Sequence, residues 1–383
     1  MDNTWWKDPS ELVNEQSELL DIPTDKSILI KGPPGSGKTN LMLLRANQLF
    51  IGDRPNLHVV VFGSLLKQFI RMGGSQYKFP EDKIVTHSYL FAHVLANHGC
   101  KLDTSKMDID EARAARADAL DDLMKKGVVG AQFQALLLDE AQDYSPLEIK
   151  LLCALTEVLI ATADTRQRIY DVEDNSEVLA TCVDMLYPLK YHFRNGLEIC
   201  MVADEIMTGD LSYTPMKTHS HYDEKTYPCI ARPHGGMTIV EQAAFIASQL
   251  NDALLGYPDQ LLAVLCPTNA DLNVIEVELI KAGLGDRITR ANKKNEFDSS
   301  KPIWLSTIAA AKGLEFRVVH IAGLDALLRM SNEMRLIYTG VTRAKTTLRL
   351  YWNQSIPGYL DSAIRAVVPT KTAVTKKHIF GQA

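Results

Sequence analysis

Short apolar runs alternate along the chain with longer stretches in which apolar residues recur every three or four positions. The runs are typical of buried β-strands and the longer pattern of amphipathic helices, and their alternation indicates parallel sheets joined by crossover helices. The pattern therefore predicts a mainly parallel α/β fold with two sheets of about five strands each, at positions 27–31, 57–62, 83–87, 134–139, 158–164, 186–193, 261–267, 303–308, 317–322 and 348–352.

The same pattern predicts where the chain divides. An acidic, turn-forming stretch after residue 170 precedes a new apolar run, so we expect one domain over 1–185 and a second over 186–366. The tail 367–383 has lysines but no acids and is predicted to be a disordered basic tail. The polar stretch 208–236 is predicted to be an insertion or long loop.

Composition narrows the classes of protein that fit. The 383 residues include 41 Lys and Arg against 47 Asp and Glu, a net charge of -6, so the chain has no excess of positive charge with which to bind nucleic acid non-specifically. A polyanion must therefore bind in a local groove. With 46% hydrophobic and 23% charged residues, the composition is typical of a globular protein and argues against disorder as the main state.

The cysteines and the apolar runs indicate in which cellular compartment the protein is expected. The six cysteines are scattered without a C-x-x-C pair, which argues against a disulfide framework or zinc ribbon. No segment reads as a signal peptide or membrane span, so we expect a cytoplasmic protein with no membrane partner. A zinc site remains an alternative, although its spacing fits no regular pattern, at His219, His221, Cys229 and His234.

The strongest chemical signal lies between the first predicted strand and a helical pattern. The segment GPPGSGKT fits the phosphate-loop form G-x-x-x-x-G-K-[ST], in which glycines let backbone N–H groups turn toward phosphates at a helix N-terminus. Lys38 is expected to hold the β- and γ-phosphates, and the Thr39 hydroxyl to bind Mg²⁺. The loop comprises Gly32, Pro33, Pro34, Gly35, Ser36, Gly37, Lys38 and Thr39.

A second signal is an apolar run that ends in acids, LLLDEAQD at 136–143. In a buried parallel strand, such acids emerge at the carboxyl end, where α/β proteins bind ligands. We expect Asp139 to hold the Mg²⁺ through its water shell, and Glu140 to orient and deprotonate the attacking water.

These motifs, and above all the form DEAQD, resemble superfamily 1 DNA helicases of the UvrD/Rep type. The resemblance implies two tandem RecA-like P-loop NTPase domains with ATP and Mg²⁺ in the cleft between them. The spacing of the later motifs leaves little room for the large inserted subdomains of that family, so the chain resembles a compact member.

Several nucleotide contacts follow from the resemblance. Gln16 corresponds to the adenine-reading glutamine, and Gln167, within ADTRQRIYD, to the γ-phosphate sensor. In LKYHFRNG, the resemblance implies that Phe193 stacks on adenine and that Arg194 contacts the γ-phosphate. Asn40 stands where the family usually has a basic residue beside the base, which predicts weaker adenine contacts.

The second half supplies the remaining implied residues. The segment 303–319 resembles motif V, which places Gly313 and Glu315 at the nucleotide and its ribose, and 332–352 resembles motif VI, with Arg343 as an arginine finger. The segments 59–71 and 85–95 resemble motif Ia and the following T-x-H-S strand end. The resemblance implies nucleic-acid contacts for Ser64, Thr86, His87, Ser306, Thr307 and Lys312.

The function implied is ATP-driven movement along single-stranded DNA, 3′ to 5′, with weak or partner-dependent unwinding. Two further departures, Ala309 in place of a histidine and acids at 171–174, remove groups that contact DNA in the family. The alternative is an ATP-gated switch that regulates a protein partner, such as a nuclease or transcription component. The acidic face of a predicted surface helix at 107–126 and the net charge of -6 favour that alternative.

Overall fold

The computed structural model describes residues 6–72, 76–167, 169, 172–211, 213–290 and 297–367, and the chain forms two α/β lobes. The first lobe contains a parallel sheet of order β3-β2-β4-β5-β1-β6. Its strands are β1 Ile28–Lys31, β2 Leu57–Val61, β3 Ile84–Thr86, β4 Phe133–Leu138, β5 Thr156–Ala163 and β6 Met185–Pro188. Its helices are α1 Asn14–Leu20, α2 Lys38–Ile51, α3 Ser64–Arg71, α4 His87–Asn97, α5 Ile109–Lys125, α6 Pro146–Ala154 and α7 Ser176–Thr181.

The second lobe contains a parallel sheet of order β7-β12-β11-β8-β10-β9. Its strands are β7 Ile230–His234, β8 Leu262–Cys266, β9 Ile288–Arg290, β10 Ile303–Thr307, β11 Phe316–Ile321 and β12 Ala344–Tyr351. Its helices are α8 Leu197–Ile206, α9 Ile239–Gly256, α10 Asn269–Leu279, α11 Glu333–Val341 and α12 Gly358–Val367. The predicted fold class, with two mainly parallel sheets as in tandem RecA-like domains, is confirmed.

Burial explains why the central strands form. The apolar run of β4 has no exposed side chain at Leu136, Leu137 or Leu138, because helices cover both faces of the sheet. In the second sheet, Trp304 of β10 is fully buried and stacks on Phe297 with ring centroids 4.0 Å apart. Each sheet has one buried apolar cluster of its own, and a third cluster contains residues of both sheets.

The lobes also contact each other directly. Gly313, in the loop between β10 and β11, has φ +82°, and a Cβ there would lie 2.8 Å from the Cδ1 of Leu66 in α3. Leu66 belongs to the same buried apolar cluster as Ile308 and Leu314 of the second lobe. The loop that follows β10 thus packs on the first lobe, and glycine permits this close approach.

Three strands differ from the prediction. The run predicted at 186–193 to open the second sheet forms β6, which pairs with β1 in the first sheet. The stretch 208–236, predicted to be a loop, contains the edge strand β7, and β9 was not predicted. Strand β7 includes Pro233, which is tolerated at a sheet edge but weakens the sequence signal for a strand. We place the passage between lobes after Pro188 rather than after residue 185.

The surface helix predicted at 107–126 is α5. Its N-cap Asp108 accepts a hydrogen bond from the Glu111 N–H at 2.8 Å, and Ala112, Ala117 and Leu120 are buried against the lobe. Within the described ranges, no helix is both long and apolar enough to cross a membrane. The basic tail was predicted over 367–383, and its positions 368–383 lie outside the described residues.

The rival zinc residues do not form a metal site. Tyr351 stacks on His234 with ring centroids 4.9 Å apart, whereas His221 packs against Tyr191. Among the residues that the structure describes, no three His, Cys, Asp or Glu side chains converge as a metal site would require.

Candidate active site

The loop between β1 and α2 makes a tight turn at two glycines. Gly35 and Gly37 have φ of 74° and 86°, in the left-handed region that glycine adopts without strain. A Cβ on Gly35 would lie 2.4 Å from the Cβ of Arg194, so this glycine also permits contact with the chain that enters the second lobe. Ser36 is fully buried, and its Oγ has no hydrogen-bond partner.

Lys38 begins α2 and folds back over the loop. Its Nζ donates hydrogen bonds to the carbonyl oxygens of Gly32 at 2.8 Å and Pro33 at 3.0 Å. Burial lowers the pKa of Lys38, and the nearby carboxylates of Asp164 and Glu140 oppose that shift. The ammonium group is therefore held at the centre of the loop.

Asp139 lies at the carboxyl end of β4, directly behind Thr39. The Thr39 hydroxyl donates to Asp139 Oδ2 at 3.0 Å, and the Thr162 hydroxyl from β5 donates to Oδ1 at 2.6 Å. Only 1% of Asp139 is exposed, and burial together with neighbouring Glu140 raises its pKa to about 6. The ends of β4 and β5 and the first turn of α2 thus place a carboxylate and two hydroxyls together.

Glu140 follows in a conformation that is rare for its residue type. Its φ of 51° and ψ of 48° are left-handed, although it is not glycine. Its N–H donates to Asp139 Oδ1 at 3.1 Å and to the Thr162 hydroxyl at 3.2 Å, which holds the turn in place. The side-chain amide of Gln142 bonds to its carboxylate, which faces the cleft between the lobes.

Arg343 reaches from the second lobe to a side chain of the first. Its Nη2 donates to Gln167 Oε1 at 2.7 Å, and its Nη1 and Nε are held by the carbonyl oxygens of Leu314 and Thr339. Only 2% of Arg343 is exposed. Burial and the nearby charge of Arg194 lower its pKa to about 9, so the guanidinium remains charged at neutral pH.

Arg194 and Glu315 form an ion pair beside this contact. Glu315 Oε2 accepts from Arg194 Nε at 2.8 Å, and Oε1 accepts from Lys345 Nζ at 2.8 Å. Burial opposes ionisation of Glu315, but the charges of Lys345 and Arg194 outweigh burial and lower its pKa to about 2. Lys345 was not predicted, although it stands two positions after Arg343 in the segment that resembles motif VI.

The other end of the cleft is lined by less charged residues. Gln16 is 2% exposed, and its Nε2 donates to the Ser36 carbonyl at 2.9 Å while its Oε1 accepts from the Val13 N–H. The Phe193 N–H donates to the Gly35 carbonyl at 3.0 Å, which fixes the ring beside the loop.

One cavity joins these groups. The residues predicted for the nucleotide site that line it are Gln16, Pro34, Gly35, Gly37, Lys38, Thr39, Asn40, Glu140, Gln167, Phe193, Arg194, Gly313, Glu315 and Arg343. Lys7 and Lys345 line it as well. The sequence contains no motif around Lys7 that singles it out.

A second groove, of about 500 Å³, lies between the lobes on the other side of Glu140. Of the six predicted nucleic-acid contacts, it brings together Ser64 from the first lobe with Ser306, Thr307 and Lys312 from the second. Lys312 is not free to contact a strand in this arrangement. It is 7% exposed, and both oxygens of Asp143 accept from its Nζ at 2.7 Å.

The other two predicted contacts do not reach the groove. His87 is 3% exposed and stacks on Phe62, with its Nε2 3.6 Å from Glu148 Oε1, and burial lowers its pKa to about 4. His87 is therefore a core residue in this structure, and its nucleic-acid contact stays a prediction. The Thr86 hydroxyl accepts from the Tyr89 N–H at 3.3 Å as the N-cap of α4.

Comparison with known proteins supports a helicase relationship for part of the chain. Residues 302–351 match the family described as UvrD-like helicase C-terminal domain, whereas no curated protein matches. A solved structure described as the C-terminal domain of a possible DNA helicase from Lactobacillus plantarum is 18% identical, with a TM-score of 0.33, over 46% of this chain and 96% of that chain. The segment that supplies Glu315 and Arg343 is thus similar to the C-terminal domain of UvrD-like helicases.

Proposed function

We propose that the chain is an ATP hydrolase of the helicase type that moves along single-stranded DNA, 3′ to 5′, by opening and closing its two lobes. The observation that carries the proposal is the shared cavity. Lys38, Thr39 and Glu140 of the first lobe face Arg194 and Arg343 across it. A site divided in this way lets the state of a bound nucleotide change the free energy of lobe closure.

The phosphate loop fits a triphosphate. The positive φ angles of Gly35 and Gly37 and the start of α2 at Lys38 favour an anion. Lys38 would exchange its two carbonyl partners for phosphate oxygens, which are stronger acceptors.

The oxygen groups beside the loop fit Mg²⁺, a hard cation that prefers carboxylate and hydroxyl oxygens. Thr39 and Asp139, which already share a hydrogen bond, would hold it, with Asp139 acting through water. Bound there, the ion would neutralise charge on the phosphates. Glu140 would orient a water molecule and accept its proton at the carboxylate.

The arginines would complete the site from the second lobe. A guanidinium remains charged and offers a planar fork of donors to the phosphoryl group. Arg343 already bonds to Gln167, so we assign Gln167 the role of reporting the terminal phosphate to the second lobe. Arg194 would turn from Glu315 to the phosphates, which frees Glu315 to accept from the ribose.

Gln16 suits adenine because its amide uses only half of its hydrogen-bonding capacity on the protein. One N–H and one lone pair remain. The free N–H and the free lone pair match the N7 acceptor and the N6 donor of adenine, the contact by which Gln and Asn select this base. Phe193 would stack on the ring.

The interlobe groove is where we place the single strand. Ser64 and Thr307 present hydroxyls from opposite lobes, which suits phosphate contacts that change as the lobes move. Lys312 would contribute a charge only after leaving Asp143, so the strand and Asp143 would compete for one ammonium group.

The test is ATP turnover by the full chain with single-stranded DNA, duplex DNA or RNA across a salt series. We expect single-stranded DNA to stimulate turnover most, with a steep loss as salt rises because phosphate contacts release counterions. Turnover that is measurable but indifferent to every nucleic acid would instead support the switch that regulates a protein partner. Absence of ATP binding would contradict both functions.

A further inference from the structure

The segment that precedes α1 lies against the start of α2. Asn40 Oδ1 accepts from the Lys7 N–H at 3.2 Å, and its Nδ2 donates to the Lys7 carbonyl at 3.1 Å. Asn40 is 6% exposed, so this two-bond contact is shielded from water. The Trp6 ring meets the Tyr77 ring edge to face at 5.6 Å, a second contact of this segment with the first lobe.

This backbone contact directs the Lys7 side chain into the cleft. The Nζ lies 4.8 Å from the centroid of the Phe193 ring, within the range of a cation–π interaction. Lys7, Asn40 and Phe193 line the same cavity as Gln16 and the phosphate loop. A half-buried lysine therefore lines the cavity beside Phe193.

We propose that Lys7 is a nucleotide-binding residue that covers the outer face of the base opposite Phe193, and that Asn40 positions it. This inference rests on the proposed ATP site and names a contact within it. The basic group expected at position 40 is supplied from elsewhere in the chain. Lys7 would supply this basic group, and Asn40 holds the Lys7 backbone in place.

The arrangement of charge and ring supports this role. Lys7 and Phe193 line the same cavity, and the 4.8 Å between the Nζ and the ring centroid is less than a stacked base needs, so a base that stacks on Phe193 displaces the Lys7 ammonium. The four-carbon stem of lysine is flexible and apolar, so the ammonium can move outward while the stem covers the base. The backbone of Lys7 remains fixed by Asn40 meanwhile.

The test measures equilibrium binding of ATP and ADP to the full chain by calorimetry. We expect Lys7→Ala to weaken both by about threefold to thirtyfold, the range of one cation–π contact. Lys7→Arg keeps the charge and should bind close to the parent chain. Asn40→Ala should weaken binding less than Lys7→Ala, and the double variant should match Lys7→Ala alone, because Asn40 acts through Lys7.

Inorganic tripolyphosphate has phosphates but no base, so its binding distinguishes phosphate contacts from base contacts. Lys7→Ala should leave its affinity unchanged, whereas Lys38→Ala should weaken both tripolyphosphate and ATP. Lys26→Ala, at an exposed lysine that pairs with Asp25, controls for a change in net charge. Tighter ATP binding by Lys7→Ala, or equal losses for ATP and tripolyphosphate, would overturn the role of Lys7. A failure of Lys38→Ala to affect either ligand would overturn the ATP site itself.

Discussion

Glu140 shows how a single residue is prepared for its proposed role. A glutamate with positive φ is strained, and this one is held by its own N–H, which donates to Asp139 and Thr162. The turn points its carboxylate into the cleft, while the preceding Asp139 stays behind Thr39. Two adjacent acids thereby face different partners, as separate roles in metal binding and proton transfer require.

Glu140→Gln is expected to keep ATP binding and lose turnover by orders of magnitude, because the amide has the shape of the carboxylate but cannot accept the proton. The measurement pairs calorimetric ATP binding with single-turnover hydrolysis. Glu157→Gln, at an exposed glutamate that pairs with Arg54 on the surface, is the control. Hydrolysis by Glu140→Gln at the rate of the parent chain would remove Glu140 as the base.

Arg343→Ala is expected to reduce turnover by about 10³–10⁵, the usual effect of losing an arginine finger. Because Arg343 is buried, its loss also leaves Gln167 Oε1 without that donor, so the variant needs a check of folding. Arg343→Lys provides this check, because lysine keeps the charge but lacks the planar fork of the guanidinium. Near-normal turnover in both variants, with an unchanged melting temperature, would contradict the assignment.

At the scale of elements, the sequence was most informative where one strand leads directly into a site. The β1–loop–α2 unit and the end of β4 were predicted within one or two residues. Each has a continuous apolar run followed by a motif that is typical of one kind of binding site. Strand β6 was assigned to the wrong sheet, because an apolar run alone does not indicate which strand it pairs with. Strand β7 has a mixed polar pattern that suits an edge.

The parts of the site that were missed depend on contacts between distant segments. Lys7 enters the cavity because Asn40, 33 positions away, binds its backbone, and neither residue carries a motif for that contact. His87 was placed on DNA by resemblance, but its ring lies in the core between Phe62 and Glu148. Local sequence pattern predicts elements, whereas these positions were decided by tertiary packing.

The close approach of the phosphate loop to Arg194 yields a prediction at this scale. Gly35→Ala is expected to weaken ATP binding and destabilise the chain by more than about 1–2 kcal/mol, because left-handed φ disfavours alanine and the new Cβ meets Arg194. Gly130→Ala, with open space and ordinary φ, is the control. Urea unfolding and nucleotide titration would measure both, and equal behaviour of the two variants would contradict this geometry.

The Lys312–Asp143 ion pair joins the lobes and gives a second prediction. Asp143→Asn would leave the buried Lys312 with only the more distant carboxylate of Glu140, at 3.9 Å, and is expected to destabilise by about 3–5 kcal/mol. The double variant Asp143→Leu with Lys312→Met should be destabilised less than Asp143→Asn, because no buried charge then lacks a partner. Denaturant unfolding tests this order, and additive losses in the double variant would argue against a direct pair.

For the whole molecule, buried histidines set the response to acid. Desolvation by burial is the largest cause in each case, and it lowers the pKa to about 4 for four of them and to about 3 for the fifth. The four are His58, His87, His192 and His234, and the fifth is His320. In the unfolded chain they titrate near 6.5. Between about pH 4 and 6.5, the unfolded state thus binds more protons at these positions than the folded state.

The resulting prediction is that the free energy of unfolding falls as pH drops from 6.5 to 4, by about 1.4 kcal/mol per pH unit for each net proton taken up on unfolding. Asp139 and Asp143 oppose this trend, because burial raises their pKa values to about 6 and the folded state then holds their protons more tightly, but they are two groups against five. His58→Phe keeps a ring against Phe133 and removes one titrating group, so its urea stability should vary less steeply over this range. The same change at exposed His221 is the control, and a slope unchanged by His58→Phe would show that His58 is not held neutral by the fold.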